Sequence, residues 1–285
     1  MMKAYYILSV MVGCFLFSSC FDEDPVYAEL EHGRMYDTTS SDPVMKYISE
    51  YYFKYDKEII FDPDTADYVF NFQSKNDLKL VQMDKERWGE GLEWVKTNFI
   101  NYYTSETIMK SFPVFLLVVD TVYYEDWSTL KPTNIYATRN MIAIAVDKGK
   151  LDLTGTAKKD LILSYHTSFI NFCITYGRIN IDQFYVIGAK KYGQYEYGKQ
   201  YTKEEAYAAG FLEVSVGKSF WDDEEYTYFP SQSSDFEAFL NFLLTGSEEE
   251  RIELMNTYVA IKTKFEVLIN AFESGGIDYK KLREI

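Results

Sequence analysis

The first residue whose surroundings point to chemistry is a histidine in an apolar stretch. His166 lies within "LSYHTSFINF", residues 163 to 172. A helical zinc site of a hydrolase needs two histidines four residues apart, because that spacing puts both imidazoles on one face, and a glutamate beside the first to activate water. Here Thr167 occupies the position of the glutamate and Ile170 that of the second histidine. The stretch has the apolar pattern of such a helix but only one of its ligands.

The histidine count extends this observation to the whole chain. Only His32 and His166 are present, and His32 lies in a polar N-terminal segment without apolar periodicity. A site with two histidine ligands would have to fold that segment into the core. We therefore predict that His166 is a core or cleft-lining histidine, and that no zinc or other cofactor is bound.

The N-terminus has the pattern of a lipoprotein signal peptide. Lys3 precedes an apolar run from Tyr5 to Phe17, which is shorter than the roughly 20 residues that span a bilayer as a helix. The following Ser18, Ser19 and Cys20 resemble a lipobox, whose cysteine is acylated after cleavage. This predicts a signal peptide over 1–19, a lipid-anchored acidic tether over 20–41 and a globular domain over 42–285. An uncleaved membrane anchor is the alternative.

Charge and cysteine content narrow the possible partners and destination. The formal net charge is -15, which should repel phosphate backbones, so we expect no nucleic-acid partner. The acidic run "FDEDP" after Cys20 resembles a surface-export signal, which favours the outer face of a bacterial outer membrane. Cys173 is the sole cysteine left after Cys14 is cleaved off and Cys20 is acylated, so no internal disulfide can form.

The apolar periodicity of the remaining chain predicts one α+β domain. Asp42-Pro43 should start a helix, and Ser234 and Ser247 should each cap one near the C-terminus. Segment 177–233, rich in Tyr and Gly, should be irregular except for a helical patch at 203–209. The other predicted elements are a strand at 58–61, a helix at 84–103, strands at 112–120 and 141–147, the His166 helix at 157–176, and a long helix from Ser247 to Phe272 ended by Gly275-Gly276.

Aromatic content is the most unusual positive feature of the composition. The chain has 26 tyrosines, and "FYVIGAKKYGQYEYGKQY" (184–201) places several of them among glycines and polar residues. Tyrosines on irregular segments form adaptable contact surfaces, so ligand contact is predicted for Tyr192, Tyr195, Tyr197 and Tyr201. The alternative is that these rings cover the core and keep only their hydroxyls in water.

Five motifs in this order resemble the substrate import-associated zinc metallohydrolase lipoproteins, which accompany TonB-dependent transporters. They are "MKYISEYYFKYDKEIIF", "FPVFLLVVD", "LSYHTSFINF", "YTKEEAYAAGFL" and "SSDFEAFLNFLL", and they cover most of residues 42–285. The resemblance implies a single zincin-like metallopeptidase domain, with a small sheet, several helices and an acidic third zinc ligand after the "DF" pair.

This chain departs from that family at the residues that would bind zinc and activate water. Ala238 stands where the acidic ligand is expected, and Glu237 is one residue off, about 100° around a helix. Glu237 also has a structural role available, as the partner of Ser234 in a capping box. Together with Thr167 and Ile170, these positions indicate a degenerate zinc site around His166.

The expected function follows from the lipobox and from this resemblance. The chain should be a surface-anchored lipoprotein with a decayed zinc site, and a non-catalytic binding or accessory component of TonB-dependent glycan or peptide import. Its partners would be the membrane through Cys20, a TonB-dependent transporter and that transporter's substrate-binding lipoprotein. One alternative is an active metal-dependent hydrolase in which carboxylates such as Glu237 join His166. Another is a structural envelope lipoprotein without a small ligand.

Overall fold

The computed structural model describes residue 34 and residues 36–68, 78–218 and 225–285. The chain divides into two compact units, 1–37 and 38–285, and nearly all described residues belong to the second. The predicted signal peptide, Cys20 and most of the tether lie outside the described residues. Within the described ranges, no helix combines the length and apolar character that crossing a bilayer requires.

The second unit is a mixed α+β structure with small sheets, as predicted. Its helices are α1 (Pro43–Tyr55), α2 (Thr65–Tyr68), α3 (Trp88–Asn98), α4 (Glu106–Ser111), α5 (Lys148–Leu151), α6 (Gly155–Thr175), α7 (Asp182–Val186), α8 (Lys203–Ala209), α9 (Gln232–Thr245), α10 (Glu248–Thr257), α11 (Val259–Gly275) and α12 (Tyr279–Arg283). Its strands are β1 (Glu58–Ile60), β2 (Leu78–Val81), β3 (Phe115–Val119), β4 (Thr121–Asp126), β5 (Thr129–Thr133), β6 (Ile135–Ala137), β7 (Met141–Ala145), β8 (Ser215–Lys218) and β9 (Glu225–Tyr228).

The central sheet has the strand order β1-β3-β7-β6. Strands β1, β3 and β7 are parallel, and β6 pairs antiparallel to β7 at the edge. All five residues of β7 are buried, as is typical of a parallel strand covered on both faces. Helix α6, which carries His166, packs against β6, and its Tyr165 hydroxyl donates to the Ala145 carbonyl at the end of β7. The sheet therefore positions the histidine helix.

Helix α1 begins and ends where the sequence predicts. The Asp42 carboxylate accepts from the Val44 amide at 2.8 Å, and Pro43 occupies the first helical turn, where its missing N–H is harmless. The helix ends at Asp56, which adopts the left-handed conformation with φ 55°. The chain then enters β1 two residues later.

Helix α9 starts earlier than predicted, and this changes the role of Glu237. Ser231, not Ser234, is its N-cap, accepting from the Ser234 amide at 3.2 Å. The predicted capping box between Ser234 and Glu237 is therefore wrong, and Glu237 is an exposed residue further along the helix. The physical reason is that Ser231 offers the same hydroxyl one turn earlier, which lets three more residues join the helix.

The predicted long C-terminal helix is two helices. Ser247 caps α10 as predicted, but Tyr258 has φ -122° and ψ 106°, an extended conformation that separates α10 from α11. The Tyr258 ring packs 5.2 Å from that of Tyr207 on α8, so a tertiary contact accompanies the break. Helix α11 ends at Gly276 with φ 79°, in agreement with the predicted glycine stop.

Two antiparallel hairpins were not predicted. Strands β4 and β5 meet through Trp127 and Ser128, which both have positive φ, whereas such two-residue turns favour Asn-Gly. The second hairpin, β8–β9, lies in the segment that was expected to be irregular. Within that same segment the predicted helical patch at 203–209 is confirmed as α8.

Candidate functional site

His166 lies inside an aromatic cluster of the core. Its side chain is fully buried, and its ring centroid lies 4.6 to 5.6 Å from those of Phe99, Tyr102 and Tyr103. Nδ1 is hydrogen-bonded to the Tyr103 hydroxyl at 2.7 Å. Burial lowers the pKa of His166 to about 3, although the Asn98 backbone opposes the shift. The imidazole is therefore neutral near pH 7 and fixed by core contacts.

Two other positions of the predicted degenerate zinc site, Thr167 and Ile170, have structural roles. The Thr167 hydroxyl donates to the Leu163 carbonyl at 3.0 Å, one turn back along the helix, and Ile170 is fully buried. Glu237 is exposed on α9, and Ala238 is half-buried beside it. The donor set around His166 does not fit a zinc ion, because Thr167 bonds within its own helix, Ile170 has no donor atom, and aromatic rings surround the imidazole.

The described residues outside the surroundings of His166 also contain side chains of the types that bind metals. Across the part of the chain that the structure describes, no three side chains of His, Cys, Asp or Glu lie close enough to share a metal ion. His166 is fully buried on α6, whereas Glu237 is exposed on α9.

A buried ion pair joins helices α9 and α11. Lys264 of α11 and Asp235 of α9 have side chains with no exposed surface, and Nζ lies 2.6 Å from Oδ2. The Tyr192 hydroxyl donates to the same oxygen at 2.6 Å and lies 3.3 Å from Nζ. We call these three residues the buried triad. Tyr192 is the one half-buried member of the triad. Its hydroxyl contacts tie the tyrosine-rich segment, residues 184–201, to α9 and α11.

The surroundings of the buried triad are aromatic. The Lys264 ammonium lies 4.4 Å from the ring centroid of Phe211 and 4.7 Å from that of Phe184, distances typical of cation–π contacts. Burial lowers the pKa of Lys264 and raises that of Asp235, while the attraction between the two charges opposes both shifts. Burial, followed by the Asp235 carboxylate, raises the pKa of Tyr192 far above its usual value.

The sequence carries a signal for this ion pair on both helices. Helix α11 buries a stripe of one face at helical spacing, and a lysine interrupts it; its members are Ile261, Lys264, Phe265, Leu268 and Phe272. A lysine on such a stripe needs a buried partner, because an unpaired ammonium in the core is very costly. Asp235 precedes buried Phe236 and lies in the first turn of α9, where the helix dipole favours an anion.

The tyrosine-rich segment lies alongside β9. Its Gly193 amide donates to the Phe229 carbonyl at 3.1 Å, and the Phe229 amide donates to the Gln194 carbonyl at 3.1 Å. Further along, the Gln200 side chain donates to the Glu225 carbonyl at 2.7 Å. These bonds at both ends, together with Tyr192 in the buried triad, hold residues 192–201 in place.

The four tyrosines with predicted ligand contact fall into two groups. Tyr201 is only 8% exposed and packs 4.4 Å from the Phe229 ring, and Tyr192 belongs to the buried triad. Both therefore have roles in packing, the alternative that the sequence left open. Tyr195 and Tyr197 are 46% and 90% exposed, so their predicted ligand contact remains a prediction.

Tyr195, one of the two exposed tyrosines, packs against tyrosines of β9. The Tyr195 ring lies 4.6 Å from that of Tyr226, which in turn lies 5.9 Å from Tyr228. We call Tyr195, Tyr197, Tyr226 and Tyr228 the tyrosine surface. Aromatic rings held on a hairpin present large faces to solvent at little cost in side-chain entropy. Such an arrangement can stack against sugar rings or peptide groups.

Comparison of this chain with protein-family models, with curated proteins and with solved structures found no match. The resemblance to metallohydrolase lipoproteins thus rests on the five sequence motifs alone. The function has to be argued from the residues of the chain itself.

Proposed function

We propose that the chain is a surface-anchored lipoprotein that binds a glycan or peptide without cleaving it, as an accessory component of TonB-dependent import. It is held to the outer membrane through lipid on Cys20 and acts beside a TonB-dependent transporter and that transporter's substrate-binding lipoprotein. The observation that carries the non-catalytic part is the position of His166, buried among aromatic rings and bonded to Tyr103. A neutral imidazole enclosed in this way does not activate water for a substrate.

The proposal includes a zincin-like, metallopeptidase-type fold with a decayed zinc site. It is supported by the parallel strands with one antiparallel edge strand, β6, and by the histidine helix α6 packed against that edge. Thr167 forms a hydrogen bond within α6, and Ile170 is buried in the core. A zinc enzyme would need a base and a second ligand at these two positions.

The binding part of the proposal is supported by the tyrosine surface. Tyr197 is 90% exposed although it follows a segment bonded to β9, so its exposure is built into the fold. Tyr192, in the same segment, is hydrogen-bonded to Asp235 and Lys264 of the buried triad. A binding face that is already in place loses less entropy when a ligand arrives.

Replacing Tyr197 with alanine should weaken ligand binding by about fivefold, because stacking on one exposed ring contributes on the order of 1 kcal/mol. The measurement is calorimetric titration of a panel of neutral oligosaccharides and short peptides into the purified protein. Tyr176→Ala is the matched control, since Tyr176 is a 42% exposed tyrosine at the end of α6. It should bind as the wild type does.

The same samples should be analysed for cleavage products. Unchanged ligands after long incubation are the expected result. Products whose formation is abolished by His166→Gln would establish the hydrolase instead. Equal weakening by Tyr176→Ala and Tyr197→Ala would argue against the tyrosine surface as the binding face.

Anchoring is tested separately with Cys20→Ser. This variant should be found in the soluble fraction of cells that otherwise retain the protein in the outer membrane, because the acyl chains that supply membrane affinity are lost. Chemical cross-linking of the wild type on intact cells should capture a TonB-dependent transporter. A Cys20→Ser variant that stays fully in the membrane would contradict the lipid anchor.

A further inference from the structure

A cavity opens between the end of α1 and the start of α4. Its volume is about 580 Å³, and its lining includes Lys54, Tyr55, Lys57, Thr104 and Lys110. This volume lies within the range of small-molecule sites in proteins, roughly 300 to 1,000 Å³. We call it the lysine pocket. It shares no residue with the tyrosine surface or the buried triad.

The lysines of this pocket lack acidic partners. Among the described residues, no carboxylate lies within 4.0 Å of the ammonium groups of Lys54, Lys57 or Lys110, although the chain has 44 acidic residues. Some of the ion pairs elsewhere join neighbours on one helix, as Lys46 and Glu50 do. The lining thus places three positively charged side chains around one cavity of an acidic protein.

A fourth cation strengthens the positive field. The Arg178 guanidinium donates to the Lys110 carbonyl at 3.3 Å, which brings it to the same region. Burial, and then the repulsion from Arg178, lower the pKa of Lys57, although Asp56 opposes the shift. Like charges gathered in this way repel each other, and a bound anion relieves that repulsion.

The remaining lining groups indicate what else the ligand carries. Tyr55 and Thr104 bring hydroxyl groups to the wall, which can donate to an oxyanion or bond to a ligand hydroxyl. Glu106 contributes the one carboxylate of the lining, and it can accept hydrogen bonds from ligand hydroxyl groups. Buried Met109 adds an apolar contact.

We propose that the lysine pocket binds a small hydroxylated oxyanion, a sugar that bears a sulfate, phosphate or carboxylate group. Lys54, Lys57 and Lys110 surround the anionic group, and Glu106 accepts from the sugar hydroxyls. Lysine suits this role because its ammonium acts as a point charge with three donors. The inference does not depend on the proposed import function, since it uses a different part of the molecule.

The test is calorimetric titration of the purified full chain with four forms of one hexose: sulfated, phosphorylated, oxidised to the carboxylate, and neutral. Saturable binding of at least one charged form, with none of the neutral hexose, is expected. The charged form that binds most tightly identifies the anionic group. Affinity should fall as salt is raised, because the attraction is electrostatic.

Variants locate the binding in the pocket. The double variant Lys57→Met/Lys110→Met keeps the apolar stems and should lower affinity by about tenfold or more. Lys57→Arg keeps the charge and should bind within about threefold of the wild type. The control is Lys159→Met, which removes an exposed lysine of α6 that has no ion pair among the described residues.

Two results would overturn the inference. The first is the absence of saturable binding of any charged hexose to the wild type. The second is a loss of binding free energy in Lys159→Met that is half or more of the loss in the pocket double variant, since one charge outside the pocket would then count as much as each pocket lysine. Circular dichroism of each variant, compared with the wild type, shows that lost binding is not lost folding.

Discussion

Replacing Asp235 with alanine should lower the free energy of unfolding by about 3 to 5 kcal/mol. The variant leaves the Lys264 ammonium without its carboxylate, in a site with no exposed surface and with aromatic rings on several sides. The desolvation cost of that charge is then no longer offset by the 2.6 Å contact. Urea denaturation followed by circular dichroism measures the loss.

A double variant separates the free-energy cost of leaving Lys264 unpaired from the net contribution of the Asp235–Lys264 pair to stability. Asp235→Leu/Lys264→Met replaces both charges with apolar groups of similar size, and should recover most of the stability lost in Asp235→Ala. Tyr192→Phe should cost about 1.5 to 3 kcal/mol, because it removes a hydrogen bond to a charged group.

The control for the buried pair is an exposed pair on the same helix. Lys262 and Glu266 lie 3.9 Å apart on α11 with about half of each side chain exposed. Glu266→Ala should change stability by less than about 0.5 kcal/mol. A loss of similar size in Asp235→Ala would mean that Lys264 finds another partner or water, and that the buried triad is not what holds the tyrosine-rich segment.

The second large effect is a dependence of stability on pH that comes from His166. Its pKa is about 3 in the folded chain, lowered by burial, and about 6.5 in the unfolded chain. Below pH 6.5 the unfolded state therefore takes up a proton that the folded state does not. The stabilisation is fully present above pH 6.5 and is lost at about 1.4 kcal/mol per pH unit as the pH falls towards 3.

The contribution of His166 can be isolated by subtraction, because carboxylates titrate in part of the same range. His166→Gln replaces the imidazole with an amide that can still bond to Tyr103, so its unfolding free energy should fall less steeply between pH 6.5 and 4.5 than that of the wild type. His32→Gln is the control and should keep the wild-type slope. Parallel curves for His166→Gln and the wild type would mean that the imidazole is accessible to protons in the folded chain.

The parts of the fold that could be predicted are those where local chemistry agrees with the tertiary structure. Asp42-Pro43 and Gly276 sit at the ends of helices because capping and left-handed glycine are local preferences. The apolar runs that became β3 and β7 need two covered faces, and they receive them. Chain-local signals were enough for these elements.

The prediction errors arise where a contact between residues far apart in the sequence determines the local structure. Tyr258 interrupts the C-terminal helix without glycine or proline, next to the ring of Tyr207 from another helix. The turn at Trp127 and Ser128 has neither asparagine nor glycine, so its hairpin gave no signal. Local periodicity carries no information about such contacts.

The candidate sites show the same division. The reading of His166 as a core residue followed from missing ligands at Thr167 and Ile170, and the structure places it in the core. The Asp235–Lys264 pair was missed because its members are 29 positions apart and no local pattern connects them. Similarly, the lysine pocket joins segments on α1 and α4 that only the fold brings together.

The most direct measurement is the zinc content of the purified protein and of His166→Gln, each isolated without chelator from cells grown with added zinc. The expected result is far less than one zinc per chain, with the same value in both proteins. About one zinc per chain in the wild type, lost in His166→Gln, would contradict the decayed site and establish His166 as a metal ligand.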